Sequence, residues 1–189
     1  LEVLIIIDGS SDRSIEIANQ FANKYPQTFV IIDKENGGHG SVINYGLQIA
    51  EGKYLRILDS DDWFDFDNFQ FFLNRLSKAS EDIVLTHVVC EYPSIKKSVR
   101  CTDEYAHILY NKCYTDMSVL DTLSPKFFSM ARCTYRTCLL KEYKLQLLEK
   151  QSFEDTFLHI FPLLYIKSFI FYDIAIYHYL LERIGQSVK

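Results

Sequence analysis

Three carboxylates lie within four residues in the segment Asp59-Ser60-Asp61-Asp62, which follows an apolar run typical of a buried strand. Carboxylates this close repel one another unless a cation lies among them. Hard divalent cations such as Mg²⁺ and Mn²⁺ prefer oxygen ligands, and Mg²⁺ usually combines one or two carboxylates with substrate phosphates. The segment therefore predicts a metal that bridges the protein to a diphosphate. The alternative is an exposed acidic turn that caps the following helix.

A glycine-rich loop, residues 36–40 with the sequence NGGHG, opens a predicted helix. Glycine lets the backbone approach a ligand closely, and the N-terminus of a helix favours anions. The loop is therefore a candidate ligand-binding loop. The alternative is a tight turn that needs its glycines for conformation alone, with His39 as a structural residue.

The first half of the chain alternates predicted strands and helices. The predicted strands are residues 4–7, 29–32, 54–58 and 83–90, and the predicted helices include residues 13–24, 43–50 and 69–76. This alternation predicts a parallel sheet in an α/β architecture, in which ligands bind beyond the carboxyl ends of the strands. The acidic clusters at residues 8–12 and 59–62 both follow predicted strand ends, so both are candidate site residues.

The composition is that of a soluble globular protein, since 48% of the 189 residues are hydrophobic and 24% are charged. The formal net charge of −5 and the lack of a basic stripe argue against a dedicated nucleic-acid binder. The five cysteines form no CxxC pair. They therefore favour reduced thiols in a cytosolic protein over a zinc site or a disulfide framework.

Two segments of the second half need separate interpretation. The apolar stretch 157–181 is interrupted by Pro162, Lys167 and Asp173, so it lacks an uncharged run long enough to span a membrane. It predicts a helix followed by a strand. Residues 91–121 are polar and weakly periodic, which predicts an insertion or a mobile loop.

Two blocks in the first third of the chain resemble family two glycosyltransferases. Residues 5–12, IIIDGSSD, resemble that family's VDDGSTD element, and residues 35–63 resemble its NGG…N.GL..A.GKY…LDSDDW block. In the second half, residues 130–140, MARCTYRTCLL, resemble the strand and turn before the acceptor-side helix. The pair Glu154-Asp155 resembles the acidic pair that opens this helix, and residues 177–188, YHYLLERIGQSV, resemble the closing Y.Y..R.GS element.

The resemblance implies a GT-A fold, a single Rossmann-like α/β domain with a mostly parallel sheet. Residues 1–90 would form the half that binds the nucleotide-sugar and the metal, and residues 91–189 the acceptor half. Ile7 stands where the family has the first aspartate of a double-Asp turn. Family members also begin with a strand and a P.YN loop before this point, so we expect the chain to lack its first strand. The nucleotide pocket would then lack one wall, which predicts weak nucleotide binding, and an unpaired sheet edge would favour self-association.

The resemblance also assigns the contacts to the donor. Asp8 would contact the nucleotide base or ribose, and Gly38, Asn44 and Asp59 lie in the matched nucleotide-sugar elements. Arg183 would pair with the diphosphate, although it could equally be a surface charge.

For the metal, Mn²⁺ or Mg²⁺, the resemblance implies Asp61 as the direct ligand together with Asp59. Asp62 would support these ligands or cap the next helix. His178 could reach the metal, as a late histidine does in some relatives, or be a structural residue.

The implied reaction is a direct displacement that inverts the anomeric carbon, with the metal stabilising the leaving diphosphate. The acceptor hydroxyl then needs a base on the opposite face, by analogy with inverting glycosidases. Asp155 is the candidate base, and the charge of Glu154 would raise its pKa towards neutrality. The alternative is that both carboxylates only favour a helix N-terminus.

The resemblance thus implies an inverting transferase that moves a sugar from a nucleotide-sugar, expected to be UDP-linked, to a glycan or lipid-linked acceptor in bacterial surface polysaccharide synthesis. It would work in the cytoplasm or peripherally at the inner face of the cell membrane, in an oligomeric state that the sequence leaves open. Two alternatives remain. One is a nucleotidyltransferase, which normally carries a G.GTR loop. The other is a non-catalytic relative that acts as a binding or assembly partner, which the Ile7 departure favours and the retained Asp61 and Asp155 oppose.

Overall fold

The computed structural model describes residues 1–101, 107–151 and 155–183. The strands are β1 (Val3–Asp8), β2 (Phe29–Lys34), β3 (Tyr54–Leu55), β4 (Trp63–Phe64), β5 (Ile83–Tyr92), β6 (Lys97–Arg100), β7 (Cys113–Tyr114), β8 (Cys133–Arg136) and β9 (Phe169–Leu180). The α-helices are α1 (Ser14–Lys24), α2 (His39–Ile49), α3 (Phe66–Leu76), α4 (Thr137–Glu142) and α5 (Asp155–Ile160). Short 3₁₀ helices span Pro93–Ile95, Met117–Thr122, Pro125–Phe128 and Phe161–Leu164.

The chain forms two compact units, each built from two segments. The first contains residues 1–55 and 136–165, and the second contains residues 56–135 and the chain from residue 166 onward. Each unit therefore takes residues from both of the halves predicted from the sequence. The assignment of those halves to donor and acceptor stays a functional prediction.

The first unit is built around a parallel pair of strands. β1 and β2 pair in continuous register from Val3 opposite Phe29 to Asp8 opposite Lys34, and α1 connects them. The β-branched run of β1 suits such a strand, as predicted. β1 ends at Asp8, so this carboxylate lies at the carboxyl end of a parallel strand.

The second unit is built around a mixed sheet. Its strands follow the order β8, β5, β9 and β4, with β6 added to β5 and β7 added to β9. β5 and β9 are parallel, but the β5–β6, β5–β8, β4–β9 and β7–β9 pairs are antiparallel. The expectation of a mostly parallel sheet therefore needs correction. β6, for example, follows β5 through a short hairpin, and a hairpin can join only antiparallel strands.

Several element boundaries differ from the sequence prediction. The strand predicted at residues 54–58 ends at Leu55, and the next residue, Arg56, has a buried side chain that bonds to backbone carbonyls. α3 begins at Phe66 because the side chain of Asp65 accepts a hydrogen bond from the Asn68 N–H at 2.8 Å. Asp65, not Asp62, is thus the helix cap.

The apolar stretch 157–181 forms the predicted helix and strand, as α5 and β9. In the described ranges no helix is long and apolar enough to cross a membrane. Within residues 91–121 the described parts include the end of β5, β6, β7 and two 3₁₀ helices, so part of the predicted insertion belongs to the sheet.

Candidate active site

The segment Asp59–Asp62 forms a closed turn, which we call the acidic turn. The Asp62 N–H donates to the Asp59 carbonyl at 3.1 Å. The Asp62 side chain is buried and accepts two hydrogen bonds from β9: one from the Tyr177 hydroxyl at 2.6 Å and one from the Leu180 N–H at 2.9 Å. Both carboxylate oxygens of Asp62 are therefore used to attach the turn to the sheet.

Burial raises the pKa of the Asp62 carboxyl above its ordinary value, and the charges of Asp59 and Asp61 act in the same direction. The bonds from Tyr177 and Leu180 oppose this shift without cancelling it. Ionisation of Asp62 therefore costs free energy, and the hydrogen bonds from its two partners stabilise the charge.

Asp61 is placed differently from its neighbour. Its side chain retains 22% of its exposure, and its Oδ2 atom lies 3.1 Å from Nη1 of the half-exposed Arg183. The guanidinium supplies positive charge where the sequence predicts a metal. The chemistry of the donor set, carboxylate oxygens from Asp59 and Asp61, suits a hard divalent cation that completes its shell with phosphates and water. No cluster of three or more potential ligand residues occurs among the described parts of the chain.

Tyr177 is a site residue that the sequence reasoning missed. The side chain is fully buried, and its hydroxyl accepts from the Asp59 N–H at 3.3 Å while it donates to Asp62. Burial, reinforced by the nearby Asp59 charge, holds the pKa of this phenol far above its usual value, so it remains a donor at neutral pH. The signal in the sequence was its position in a strand, two residues from another tyrosine, Tyr179.

Arg56 is a second residue that was missed. The buried guanidinium donates hydrogen bonds to the Ala131 carbonyl and, at 2.9 Å, to the Thr134 hydroxyl. Its central carbon lies 5.8 Å from the centroid of the Tyr177 ring. Burial lowers the pKa of Arg56 to about 10, which still leaves it charged at neutral pH. It thus places a positive charge in the core of the second unit.

His178 follows Tyr177 in β9, and consecutive strand residues point to opposite faces of a sheet. Its Nδ1 lies 2.6 Å from Glu91 Oε1, and its ring stacks on Trp63 with centroids 5.3 Å apart. The pairing of β4 with β9 places Trp63 opposite His178 and Phe64 opposite Tyr177. His178 therefore lies on the other face from the Tyr177 hydroxyl, which favours the structural interpretation over the metal-ligand one.

In the first unit, Asp8 organises the glycine-rich loop. Its Oδ1 accepts from Lys34 Nζ at 2.6 Å and from the Gly37 N–H at 2.9 Å, and its Oδ2 accepts from the Gly38 N–H at 2.8 Å. Burial acts to raise the pKa of Asp8, but the bonds from Lys34, Gly37 and Gly38 outweigh it, so the pKa is lowered. Two amides of the loop thus bind a carboxylate of the protein itself.

Asn44 has a clear structural contact. Its Nδ2 donates to the Leu147 carbonyl at 3.0 Å, and its Oδ1 accepts from the Leu147 N–H at 2.7 Å. Both ends of the amide therefore attach α2 to the segment before α5. Gly40 allows α2 to pack closely against the same segment, because a Cβ at residue 40 would collide with the Leu148 carbonyl.

Asp155 is the first residue of α5, and its side chain is about half exposed. Its Oδ1 accepts from the Thr156 N–H at 2.9 Å, and its Oδ2 lies 3.9 Å from Nε2 of His159, one helical turn later. Burial lowers the pKa of His159, which the Asp155 charge only partly offsets. The sequence reasoning missed His159, although its spacing of four residues places it beside Asp155. Glu154 lies outside the described residues.

The predicted residues therefore fall into separate groups. Asp59, Asp61 and Arg183 come together in the second unit, at the acidic turn. Asp8 and Gly38 come together in the first unit.

A family model described as glycosyl transferase family 2 matches residues 1–154. Among curated proteins, the chain is 37% identical over 83 residues to the minor teichoic acid biosynthesis protein GgaB of Bacillus subtilis, which covers 44% of the chain and 9% of that protein. It is 28% identical over 193 residues to the glycosyltransferase GlyA of Streptococcus pneumoniae, covering 97% of the chain and 27% of that protein. The chain thus spans about a quarter or less of these relatives.

Among solved structures, residues 1–349 of TarS from S. aureus in complex with UDP superpose with a TM-score of 0.74 at 22% identity, covering 95% of the chain and 51% of TarS 1–349. The complex of TarS 1–349 with UDP-GlcNAc gives a TM-score of 0.73 at 23% identity over 98% of the chain and 50% of that structure. At these identities the likeness shows the fold, which is the α/β GT-A fold.

Proposed function

Since this chain belongs to glycosyl transferase family 2, we propose that it transfers a sugar from a UDP-linked donor to a glycan or lipid-linked acceptor. Relatives named for teichoic acid biosynthesis and for glycosyl transfer support a role in bacterial surface polysaccharide synthesis. TarS, which shares the fold, binds UDP and UDP-GlcNAc, and this supports a UDP-sugar as donor. A cytoplasmic site of action, at the inner face of the membrane, would place the enzyme beside both substrates.

One observation at the site supports the proposal: the carboxylates of the acidic turn lie in different environments. Asp62 is buried and bonded to β9, whereas Asp61 keeps exposed surface and contacts a positive group, Arg183. The Asp61 carboxylate is thus open to a ligand, whereas both oxygens of Asp62 are already hydrogen-bonded. This division suits a site that binds a diphosphate through a divalent cation.

Asp61 and Asp59 would hold that cation, Mn²⁺ or Mg²⁺, which when bound stabilises negative charge on the leaving diphosphate. Arg183, whose guanidinium contacts Asp61, would bind a phosphate oxygen of the donor. A guanidinium there would keep positive charge near the leaving group as the bond to the anomeric carbon breaks.

Asp8 would accept a hydrogen bond from the nucleotide and would also hold the glycine-rich loop in place. A carboxylate has about four acceptor sites, and Lys34, Gly37 and Gly38 use three of them. The remaining site, on Oδ2, is assigned to an N–H of the base or a hydroxyl of the ribose. Gly38 would support the same contact through its backbone.

Asp155 would act as the general base for the acceptor hydroxyl in an inverting displacement. Its exposed carboxylate stands at the start of α5, and burial lowers the pKa of the neighbouring His159. An exposed carboxylate is open to an acceptor hydroxyl, as a general base requires.

Calorimetric titration of the intact protein with UDP tests the donor class. We expect UDP to bind with Mn²⁺ present and to lose most of its affinity in EDTA, with GDP and dTDP binding more weakly. Preferential binding of GDP or dTDP would refute the UDP assignment, and equal UDP affinity with and without the cation would refute the role of the metal.

A further inference from the structure

The acidic turn is attached to β9 mainly through one buried phenol, Tyr177. The backbone of Tyr177 is fixed on two sides, because β9 pairs with β4 and with β5 at this position. Phe64 packs edge-on against it, with ring centroids 5.8 Å apart at an interplanar angle of 72°. The hydroxyl therefore has little freedom to move away from the turn.

This hydroxyl contacts both ends of the turn at once. It donates to the Asp62 carboxylate at 2.6 Å and accepts from the backbone N–H of Asp59 at 3.3 Å. The second Asp62 oxygen accepts from the Leu180 N–H, so a further bond to β9 supports the same turn. Ser60 and Asp61 lie between these anchors, and the Asp61 side chain keeps 22% of its exposure.

Fixing both ends of a four-residue turn fixes the direction of the side chain between them. Loss of a group that holds a metal ligand in place typically lowers metal affinity or activity by about ten- to a hundredfold. Loss of the phenolic hydroxyl would leave the buried Asp62 charge with one partner fewer, and the turn could then relieve that cost by rotating towards solvent.

We infer that Tyr177 is a positioning residue for the donor site: its hydroxyl holds Asp59 and Asp61 in the arrangement that a metal-bound nucleoside diphosphate requires, without contact to the donor. This inference rests on the proposed function. It predicts that removal of one buried oxygen atom, on a side chain that never meets the substrate, weakens donor binding specifically.

Tyr177→Phe in the intact protein tests it, because the ring and its packing on Phe64 and Arg56 are retained while the hydroxyl is lost. We expect the Kd for UDP with Mn²⁺ to rise by about ten- to a hundredfold, with a matching rise in donor KM and little change in acceptor KM. Mn²⁺ binding without nucleotide, measured by electron paramagnetic resonance, should weaken in parallel.

Tyr135→Phe is the matched control, since Tyr135 is an equally buried tyrosine on β8 in the same unit. It should lower the melting temperature while leaving the Kd for UDP near that of the natural protein. Equal effects of the two variants on UDP affinity would overturn the inference, because the loss would then be one of general stability.

Asp62→Asn supplies a second, independent readout. If Tyr177 acts through Asp62, the double variant should weaken UDP binding by clearly less than the product of the two single effects. Full multiplicativity would contradict the positioning role. Should Tyr177→Phe not fold, an Asp62→Asn protein with unchanged UDP and Mn²⁺ affinity would overturn it instead.

The two proposals fail in different ways. Failure of the natural protein to bind any nucleoside diphosphate would refute the proposed function and the donor-site role of Tyr177 with it. Metal-dependent UDP binding that survives intact in Tyr177→Phe would refute the inference alone.

Discussion

Asp61 and Asp62 are adjacent carboxylates that serve different purposes, because only one of them is buried. Asp62 is bonded to Tyr177 and Leu180, and Asp61 keeps surface and faces Arg183. The sequence could indicate that three acidic residues stand together, and why that suggests a cation. It could not indicate which carboxylate forms hydrogen bonds within the protein, since that depends on Tyr177, 115 positions away from Asp62.

We predict that Asp61→Asn in the intact protein weakens Mn²⁺-dependent UDP binding, because it replaces a charged oxygen donor beside the diphosphate. If the contact contributes about 1.5–3 kcal/mol, as for bonds to charged groups, the Kd should rise by about ten- to a hundredfold. Calorimetry with Mn²⁺ and with EDTA measures this. The exposed Asp121, also in the second unit, gives Asp121→Asn as a control that should bind normally. Unchanged metal-dependent affinity in Asp61→Asn would exclude Asp61 as a ligand.

We predict that Asp155→Asn slows turnover with little effect on the donor, since the proposed base acts on the acceptor hydroxyl. General-base assistance is typically worth about a hundredfold to ten-thousandfold in rate, so kcat should fall by that order while the Kd for UDP stays nearly constant. Steady-state kinetics with Glu154→Gln as the comparison measures this. If Asp155→Asn keeps near-normal turnover and Glu154→Gln loses it, the two roles are reversed. If neither substitution changes turnover, the base is a different residue.

At the scale of elements, β1, β2 and the start of α2 meet at Asp8. The three donors that surround its carboxylate come from the end of β2 and from the glycine-rich loop. The loop's conformation therefore depends on Asp8, and not only on the freedom of its glycines. Gly38 does need that freedom, because its φ of 81° lies in the left-handed region.

We predict that Asp8→Asn destabilises the protein by about 1–3 kcal/mol at pH 7, as expected for lost bonds to a charged, largely buried group. The folded-state pKa of Asp8 is lowered, so its contribution is present above the unfolded pKa of about 3.9. It is lost as the pH falls below that value and through the folded pKa. Denaturant unfolding from pH 7 down to pH 3 should thus show a shrinking difference between the two proteins. Asp33→Asn, an exposed change on the paired strand β2, is the control. A difference that stays constant with pH would show that the charge of Asp8 is not the stabilising feature.

The main elements were predictable from the sequence, whereas β3 was predicted too long, at residues 54–58, and β4 was not predicted. The periodicity of residues 83–90 and 157–181 predicted β5, α5 and β9 because those segments are long and apolar. β3 and β4 are only two residues each, and β4 exists because Trp63 and Phe64 pair with β9. Such pairing depends on tertiary structure, which local sequence patterns do not specify.

At the scale of the whole molecule, the donor chemistry is more clearly encoded than the acceptor chemistry. The acidic turn, the glycine-rich loop and their spacing lie in the segment that the family model matches. The chain spans about half of the TarS structures and a smaller part of its curated relatives. Acceptor, linkage and oligomeric state therefore belong to proposals about the intact protein.

Analysis of the reaction products tests the proposed sugar transfer most directly. The intact protein would be incubated with Mn²⁺, a panel of UDP-sugars labelled with ¹³C at the anomeric carbon, and lipid-linked glycan acceptors, and followed by ¹³C and ³¹P NMR. We predict release of UDP and a new glycoside with inverted anomeric configuration from one of the donors. Release of a sugar 1-phosphate, with UMP transferred to the acceptor, would indicate nucleotidyl transfer instead. UDP binding without turnover of any donor would contradict the account in favour of a non-catalytic binding protein.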